Sequence, residues 1–181
     1  MPVDHVAGAL VLRCTGMPGR GEPLWRRAHP GRQAELMLAL ACRVCGKPAD
    51  RSSEGVLWLL PLPRMRSGRH RRVAPGWPEG ARVEHPPVCA EHALASPGLC
   101  PALGGAVLVR ASMTALWGVA GWRLLPGTEP VHGCFAFGDA RALRWVAATH
   151  LLRTLTGCTV LTLEDLRAGL TGRSAVSGAA R

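Results

Sequence analysis

Two pairs of metal-binding residue types constrain this chain more than any other feature. Cys42 and Cys45, in ACRVCGKPAD, form a Cys-x2-Cys pair, and Cys89 and His92, in PPVCAEHA, form a Cys-x2-His pair 43 residues later. A gap of two residues lets both side chains of a pair reach one ion, and zinc prefers four such ligands in a tetrahedron. The spacing therefore predicts that the chain folds back to bring the pairs together around one structural Zn²⁺ ion.

The residues around each pair favour this interpretation. Gly46 follows the second cysteine directly and permits a tight backbone turn. Cys89 and His92 are three residues apart at an expected helix start, so their side chains project from one face, where the helix N-terminus favours a thiolate. A redox Cys-x2-Cys pair is disfavoured because a helix, not a strand, precedes it. Free cysteines in a metal-free core remain an alternative.

The identity of the fourth ligand has two rivals. Cys100 lies eight residues beyond His92, after the helix-breaking Ser-Pro-Gly, and His85 lies just before a proline pair. Either replaces His92 if the second helix begins elsewhere. A disulfide framework is disfavoured by the odd count of seven cysteines and by the length of the chain. The remaining cysteines lie in apolar runs and read as small buried hydrophobic residues: Cys14, Cys134 and Cys158.

Helical and strand patterns flank the ligand pairs. Pro30 marks the start of a helix over residues 32–41, residues 56–60 read as a strand, and CAEHALAS reads as a second helix. The order of knuckle, hairpin and helix with two ligands in its first turn resembles a treble-clef zinc site over residues 42 to about 95. The long segment between the pairs departs from that pattern.

The composition changes beyond Pro101. Three apolar segments read as strands: GAVLVRASM, WGVAGWRLLPG (a strand or strand pair) and HGCFAFGD. A long helix is predicted over residues 140–155, capped by Asp139 and ended by Gly157, and the strand CTVLTL follows it. Thr162 and Asp165 begin a terminal helix. We therefore expect an α+β protein in which a treble-clef-like zinc-binding module (1–104) joins a mixed α/β C-terminal half (105–171), followed by a flexible tail (172–181).

Charge and composition limit the partners and the compartment. The chain carries a net charge of +10, but it has no Ile, Asn or Tyr and a single Lys, which indicates a GC-rich bacterial genome biased toward arginine. A basic chain alone is thus weak evidence for nucleic acid. The most apolar stretch, residues 102–122, contains Arg110 and several glycines, so no membrane span is expected. The N-terminus does not resemble a signal peptide, and we expect a cytoplasmic protein.

One basic segment is a candidate contact surface for nucleic acid. Five arginines fall within nine residues between the ligand pairs, and arginine binds phosphate oxygens bidentately. Trp58 and Trp77 flank the segment and offer stacking surfaces for bases. A solvated charged loop is the alternative interpretation. The arginines are Arg64, Arg66, Arg69, Arg71 and Arg72.

The wider pattern, LxCRVCGKPADRxxEGVLWLL followed by HPPVCAEHA, resembles small uncharacterised zinc-knuckle proteins of high-GC bacteria. The resemblance extends over roughly residues 8 to 170. It implies a zinc site formed by Cys42, Cys45, Cys89 and His92, and it implies no activity.

The sequence favours a non-catalytic module that binds nucleic acid or another protein. A metal-dependent nuclease of the His-Asn-His type also uses a treble clef, but this chain contains no Asn. A group-transfer enzyme remains the other alternative, since His132 and Cys134 share one face of a strand. His150, on the apolar stripe of the expected long helix, reads as a core histidine. No catalytic residue is predicted.

Overall fold

The computed structural model describes residues 3–6, 9–12, 29–62, 73, 75–99 and 105–178. Twelve elements lie in these ranges. The helices are α1 (Pro30–Ala39), α2 (Ala90–Leu99), α3 (Ala140–Leu143) and α4 (Leu163–Gly178). The strands are β1 (Val3–Val6), β2 (Ala9–Leu12), β3 (Arg51–Ser52), β4 (Gly55–Leu60), β5 (Arg82–Val83), β6 (Val107–Arg123), β7 (Val131–Ala136) and β8 (Val146–Leu161).

All eight strands belong to one sheet, which is mostly antiparallel. The main path runs β1-β2-β8-β6-β4-β3, with β5 paired to β8 and β7 paired to β6. Among the described strands, β2 and β8 form the one parallel pair. The protein is therefore of the α+β class, as the sequence predicts. No helix in the described ranges is long and apolar enough to cross a bilayer.

The centre of the sheet is a long hairpin of β6 and β8. Its pairing runs from Leu108 opposite Leu161 to Arg123 opposite Val146, with two register shifts. This pairing requires glycine at position 157 of β8, because its φ of 61° lies in the left-handed region and a Cβ there would collide with the Ser112 side chain. The Glu79 carboxylate accepts the Gly157 and Cys158 N–H groups at 3.1 and 2.9 Å.

The predicted helix over residues 140–155 is wrong, and so is the assignment of Gly157 to its end. Asp139 does cap a helix, accepting the Ala142 N–H at 3.0 Å, but α3 lasts four residues and β8 follows. The residues of β8 have good helix propensity, but its pairing with β6, β2 and β5 supplies hydrogen bonds and burial that a lone helix would lack. Likewise β6 is one strand where the sequence predicts two or more.

The sheet is packed on both faces. On one side, Met37 of α1 joins a cluster that includes Trp58, Val109 and Leu151. On the other, Val88, Ala93 of α2 and Leu166 of α4 join a second cluster with Leu57, Leu59 and Cys42. Strand β4 contributes alternate residues to the two clusters, so it is buried on both faces.

A single glutamine connects α1 to the edge of β8. The buried Gln33 side chain donates to the carbonyls of Glu84 (2.7 Å) and Leu151 (3.0 Å) and accepts the Leu151 N–H at 2.9 Å. Its amide thus continues the ladder of hydrogen bonds at Leu151, which pairs with no described strand on that side. Gln33 is the one glutamine in the chain.

We expect Gln33→Leu to lower the free energy of unfolding by about 2–4 kcal/mol, because buried peptide groups at Glu84 and Leu151 lose their partners. Urea unfolding followed by circular dichroism measures the change. The matched control is Glu35→Leu, an exposed position on the same helix, which should shift stability by less than about 0.5 kcal/mol. Equal effects of the two substitutions would contradict the role assigned to Gln33.

Candidate metal centre

The first ligand pair lies in a tight loop after α1. The helix ends at Leu40, whose φ of 50° turns the chain, and Ala41 then pairs with Pro48 in an isolated bridge. Inside this loop, which we call the knuckle (residues 41–48), the Cys42 N–H donates to the Lys47 carbonyl at 2.7 Å and the Gly46 N–H to the Cys42 carbonyl at 2.8 Å. Gly46 has a φ of 75°, so the knuckle needs the glycine that the sequence places there.

The second pair lies at the start of α2. Cys89 directly precedes the helix, and its carbonyl accepts the Ala93 N–H at 2.9 Å. His92 falls in the first turn and directs its Nδ1 atom toward Cys89 Sγ, 3.0 Å away. The predicted shared face of Cys89 and His92 is confirmed.

Backbone hydrogen bonds bring the two pairs together. The Arg43 N–H in the knuckle donates to the Pro87 carbonyl at 3.0 Å. The Val88 carbonyl accepts the Asp50 N–H, and the Val88 N–H donates to the Leu57 carbonyl of β4, each at 3.0 Å. The segment before α2 is therefore fastened to both the knuckle and the sheet, which places Cys89 beside Cys45.

The four predicted residues form one group. The Sγ atoms of Cys42, Cys45 and Cys89 and a ring nitrogen of His92 all lie within 4.8 Å of one another, the one such group found in the described ranges. Cys45 Sγ is 3.9 Å from Cys89 Sγ, and Cys42 Sγ is 3.9 Å from His92 Nδ1. Sulfurs bound to one tetrahedral zinc at ~2.3 Å lie about 3.8 Å apart. The group could therefore hold a metal ion with little rearrangement.

Cys42 and Cys89 differ in how strongly their surroundings stabilise the thiolate form. Burial acts to raise the pKa of Cys42, but the backbone N–H groups of Cys45, Cys89 and Val44 outweigh it and hold the pKa below its ordinary value of 9.0. Burial raises the pKa of Cys89 to about 11, and its neighbours Cys42 and Cys45 add to the effect. The surroundings of Cys42 thus favour its thiolate form. A bound cation would offset the repulsion between that thiolate and thiolates at the neighbouring cysteines.

Solvent reaches the group from the Cys45 side. Cys42 is fully buried in the second hydrophobic cluster, Cys89 and His92 are half-buried, and Cys45 is exposed. Four protein ligands complete a tetrahedron and leave no position for a reacting water, which is the pattern of structural rather than catalytic sites.

The other residues singled out by the sequence lie elsewhere or outside the described ranges. His85 is not part of the group, and burial, followed by the charge of Arg43, lowers its pKa. Cys100 and the arginine segment, with Arg64, Arg66, Arg69, Arg71 and Arg72, fall outside the described residues, as does Cys14. Trp58 is fully buried, so the prediction that it offers a stacking surface is wrong, whereas Trp77 is partly buried against the first cluster.

The C-terminal candidates for catalysis have other neighbours within the described residues. Cys134 is exposed rather than buried as predicted, and His132 rests edge-on against the Trp122 ring, with centroids 5.1 Å apart. His150 lies in β8, not on a helix, and its Nδ1 contacts the Thr149 hydroxyl at 3.0 Å. Among the described residues, no carboxylate forms a hydrogen bond with either histidine.

Comparisons with protein-family models, with curated proteins and with solved structures found no match to this chain. The Cys₃His group is consequently the feature of the chain that bears most directly on its role.

Sequence reasoning missed the ion pair behind the knuckle. Arg110 of β6 is 4% exposed and bonds Asp50 at 2.5 Å and the Gly55 carbonyl at 3.2 Å. Asp50 is also the residue whose N–H binds Val88. The available signal was an arginine in the middle of the apolar run GAVLVRASM, since a buried charge requires a partner.

Gly46→Ala should lower the free energy of unfolding by about 1–2 kcal/mol, because an L-residue is strained at that φ even though no atom lies within 4 Å of the new Cβ. Chemical denaturation of the purified protein measures it. Gly138→Ala is the matched control, since its Cβ also meets no atom within 4 Å and its φ is not positive. The knuckle geometry would be contradicted if both variants were as stable as the wild type.

Proposed function

We propose that Cys42, Cys45, Cys89 and His92 bind one structural Zn²⁺ ion and that the surrounding segment is a treble-clef-like module. The observation that carries the proposal is the convergence of four ligand atoms within 4.8 Å. Three thiols and an imidazole are soft or borderline donors, which favour zinc over magnesium or calcium. The knuckle, the β3–β4 hairpin and the start of α2 follow one another in the order expected of that module.

The role of the ion is to order the chain between its ligands. Cys45 and Cys89 are separated by 43 residues, which outside β4 are rich in proline, glycine and arginine. A metal bound only by the folded arrangement contributes its binding free energy to folding. The ion would fasten α2 over Leu57 and Leu59, completing the second hydrophobic cluster.

Elemental analysis of protein purified without a metal-affinity tag tests the site. We expect about one zinc per chain in the wild type and in the control variant Cys134→Ser, and none in Cys42→Ser or Cys89→Ser. The last two should also melt about 10 °C lower, because a structural zinc contributes at least several kcal/mol. Chelation of the wild type should lower its melting temperature similarly, which separates loss of metal from the effect of a buried serine. A folded wild type without metal would refute the site.

We infer that the zinc-stabilised fold is a non-catalytic module that binds nucleic acid. A closed metal site supports a structural role, and the net charge of +10 with a calculated isoelectric point near 10.8 favours a polyanionic partner. The arginine segment at residues 64–72 would add phosphate contacts. Its five arginines lie within the span that the zinc ligands close.

The salt dependence of binding tests this inference. The logarithm of affinity for a single- or double-stranded oligonucleotide should fall linearly with the logarithm of salt concentration, and replacing Arg69, Arg71 and Arg72 by Ala should reduce the slope by about 2–3, roughly one per phosphate contact. Arg167→Ala, at an exposed position of α4, is the control. Salt-independent binding, or none, would remove nucleic acid as the partner.

A further inference from the structure

The exposed tryptophans of the described chain lie together at one end of the sheet. Trp122 and Trp145 are 45% and 41% exposed, whereas Trp58 is buried and Trp77 and Trp117 are partly covered. In β6, Trp122 pairs with Ala147 of β8. The Leu124 N–H donates to the Trp145 carbonyl at 2.8 Å, which brings Trp145 beside Leu124 just beyond the last strand pair, while the Trp145 N–H donates to the Ala142 carbonyl in the turn after α3.

This register brings the aromatic residues to one end of the hairpin. Residues two apart along an extended segment share a face, and residues paired across strands share it too. Trp122 and Leu124 therefore lie on one face, and Trp145, in the turn before β8, is hydrogen-bonded to Leu124. His132, paired with Trp122 from β7, supports the Trp122 ring in a T-shaped contact with an interplanar angle of 71°. We call Trp122, Leu124, His132 and Trp145 the tryptophan platform.

The platform is not part of either hydrophobic cluster. None of its four residues belongs to the clusters that pack the two faces of the sheet, and Leu124 is 47% exposed. Large apolar side chains gathered on a surface commonly mark a binding site. The burial of Trp122 and Trp145 against a partner would remove this exposed apolar area from water.

The charges around the platform indicate what kind of partner it fits. Arg144 directly precedes Trp145, Arg141 lies one turn earlier in α3, and both are exposed, whereas Arg123 pairs with Val146 and therefore lies on the opposite face from Trp122. Within the described ranges none of them forms an ion pair. Of the two carboxylates at this end, Asp139 already accepts the Ala142 N–H, and Glu129 lies in the β6–β7 loop.

We propose that the tryptophan platform binds single-stranded nucleic acid, with bases stacked on Trp122 and Trp145 and phosphates contacted by Arg141 and Arg144. This rests on the proposed function, since it names the surface and the form of nucleic acid. Only unpaired bases expose faces that can stack on a side chain, and stacking on aromatic rings flanked by arginine is how proteins bind single strands without reading their sequence. Exposed rings beside arginines that form no ion pair with the described residues meet both requirements.

A comparison of two ligands of equal charge tests stacking directly. The probes are a fluorescently labelled oligothymidylate and an abasic strand of the same length, measured by anisotropy at one salt concentration. The wild type should bind oligothymidylate about tenfold more tightly. Trp122→Ala and Trp145→Ala should each weaken oligothymidylate binding about tenfold and leave abasic binding nearly unchanged, whereas Trp122→Phe should retain most of the affinity.

The control for a lost exposed apolar residue is Met113→Ala, at a position 67% exposed and outside the platform, which should bind both strands like the wild type. Thermal melts show that each variant folds. Equal affinity of the wild type for the two strands, or alanine variants that bind like the wild type, would overturn the platform while leaving nucleic-acid binding intact. No binding of either strand would overturn both. If analytical ultracentrifugation shows a wild-type dimer that Trp145→Ala dissociates, the nucleic-acid proposal is overturned and the platform is an interface between two copies of the chain.

Discussion

Strand β4 is buried on both faces, and the arrangement of the remaining described elements follows from this. Val56, Trp58 and Leu60 enter one hydrophobic cluster with α1, and Leu57 and Leu59 enter the other with α2 and α4. Each large side chain so buried contributes about 1.5–3 kcal/mol. The same strand receives the Val88 N–H at the Leu57 carbonyl, one residue before Cys89. The Cys₃His group is thus positioned by the core of the sheet, and α2 completes the second cluster of that core.

The ion pair of Arg110 and Asp50 joins this core to the knuckle at a cost. Two charges removed from water lose solvation free energy that their mutual attraction only partly restores, so the pair adds little net stability but makes removal of one partner expensive. Arg153 is a second buried guanidinium, and it donates to the carbonyls of Met37 and Thr114 at 2.9 and 3.1 Å. Both arginines tie a long strand of the hairpin to another element. They favour one register and one placement of α1 and the knuckle over alternatives of similar hydrophobic burial.

Features determined by a few neighbouring residues could be predicted from the sequence. Thr162 and Asp165 exchange hydrogen bonds at the start of α4, Pro30 begins α1, and Cys89 and His92 meet across one helical turn. The strand conformation of residues 146–155 could not be predicted, because their helix propensity is outweighed by pairing with strands distant in sequence. The choice of His92 over His85 depends on where α2 begins, which local reasoning leaves open. The exposure of Trp122 and Trp145 depends on the register of β6 and β8, which no local pattern encodes.

That register links the two ends of the hairpin, where the structure concentrates different chemistry. At about 3.3 Å per residue, the 17-residue β6 extends roughly 50 Å from the cluster beneath α4 toward the tryptophan platform. A slip of one residue would turn Trp122 to the opposite face. Two glycines prevent it, because a Cβ at Gly118 would collide with the Phe135 carbonyl and one at Gly121 with the Ala147 carbonyl, so only these residues fit where the strands approach closely. The Cys₃His group and the proposed binding surface therefore depend on the register of the same hairpin.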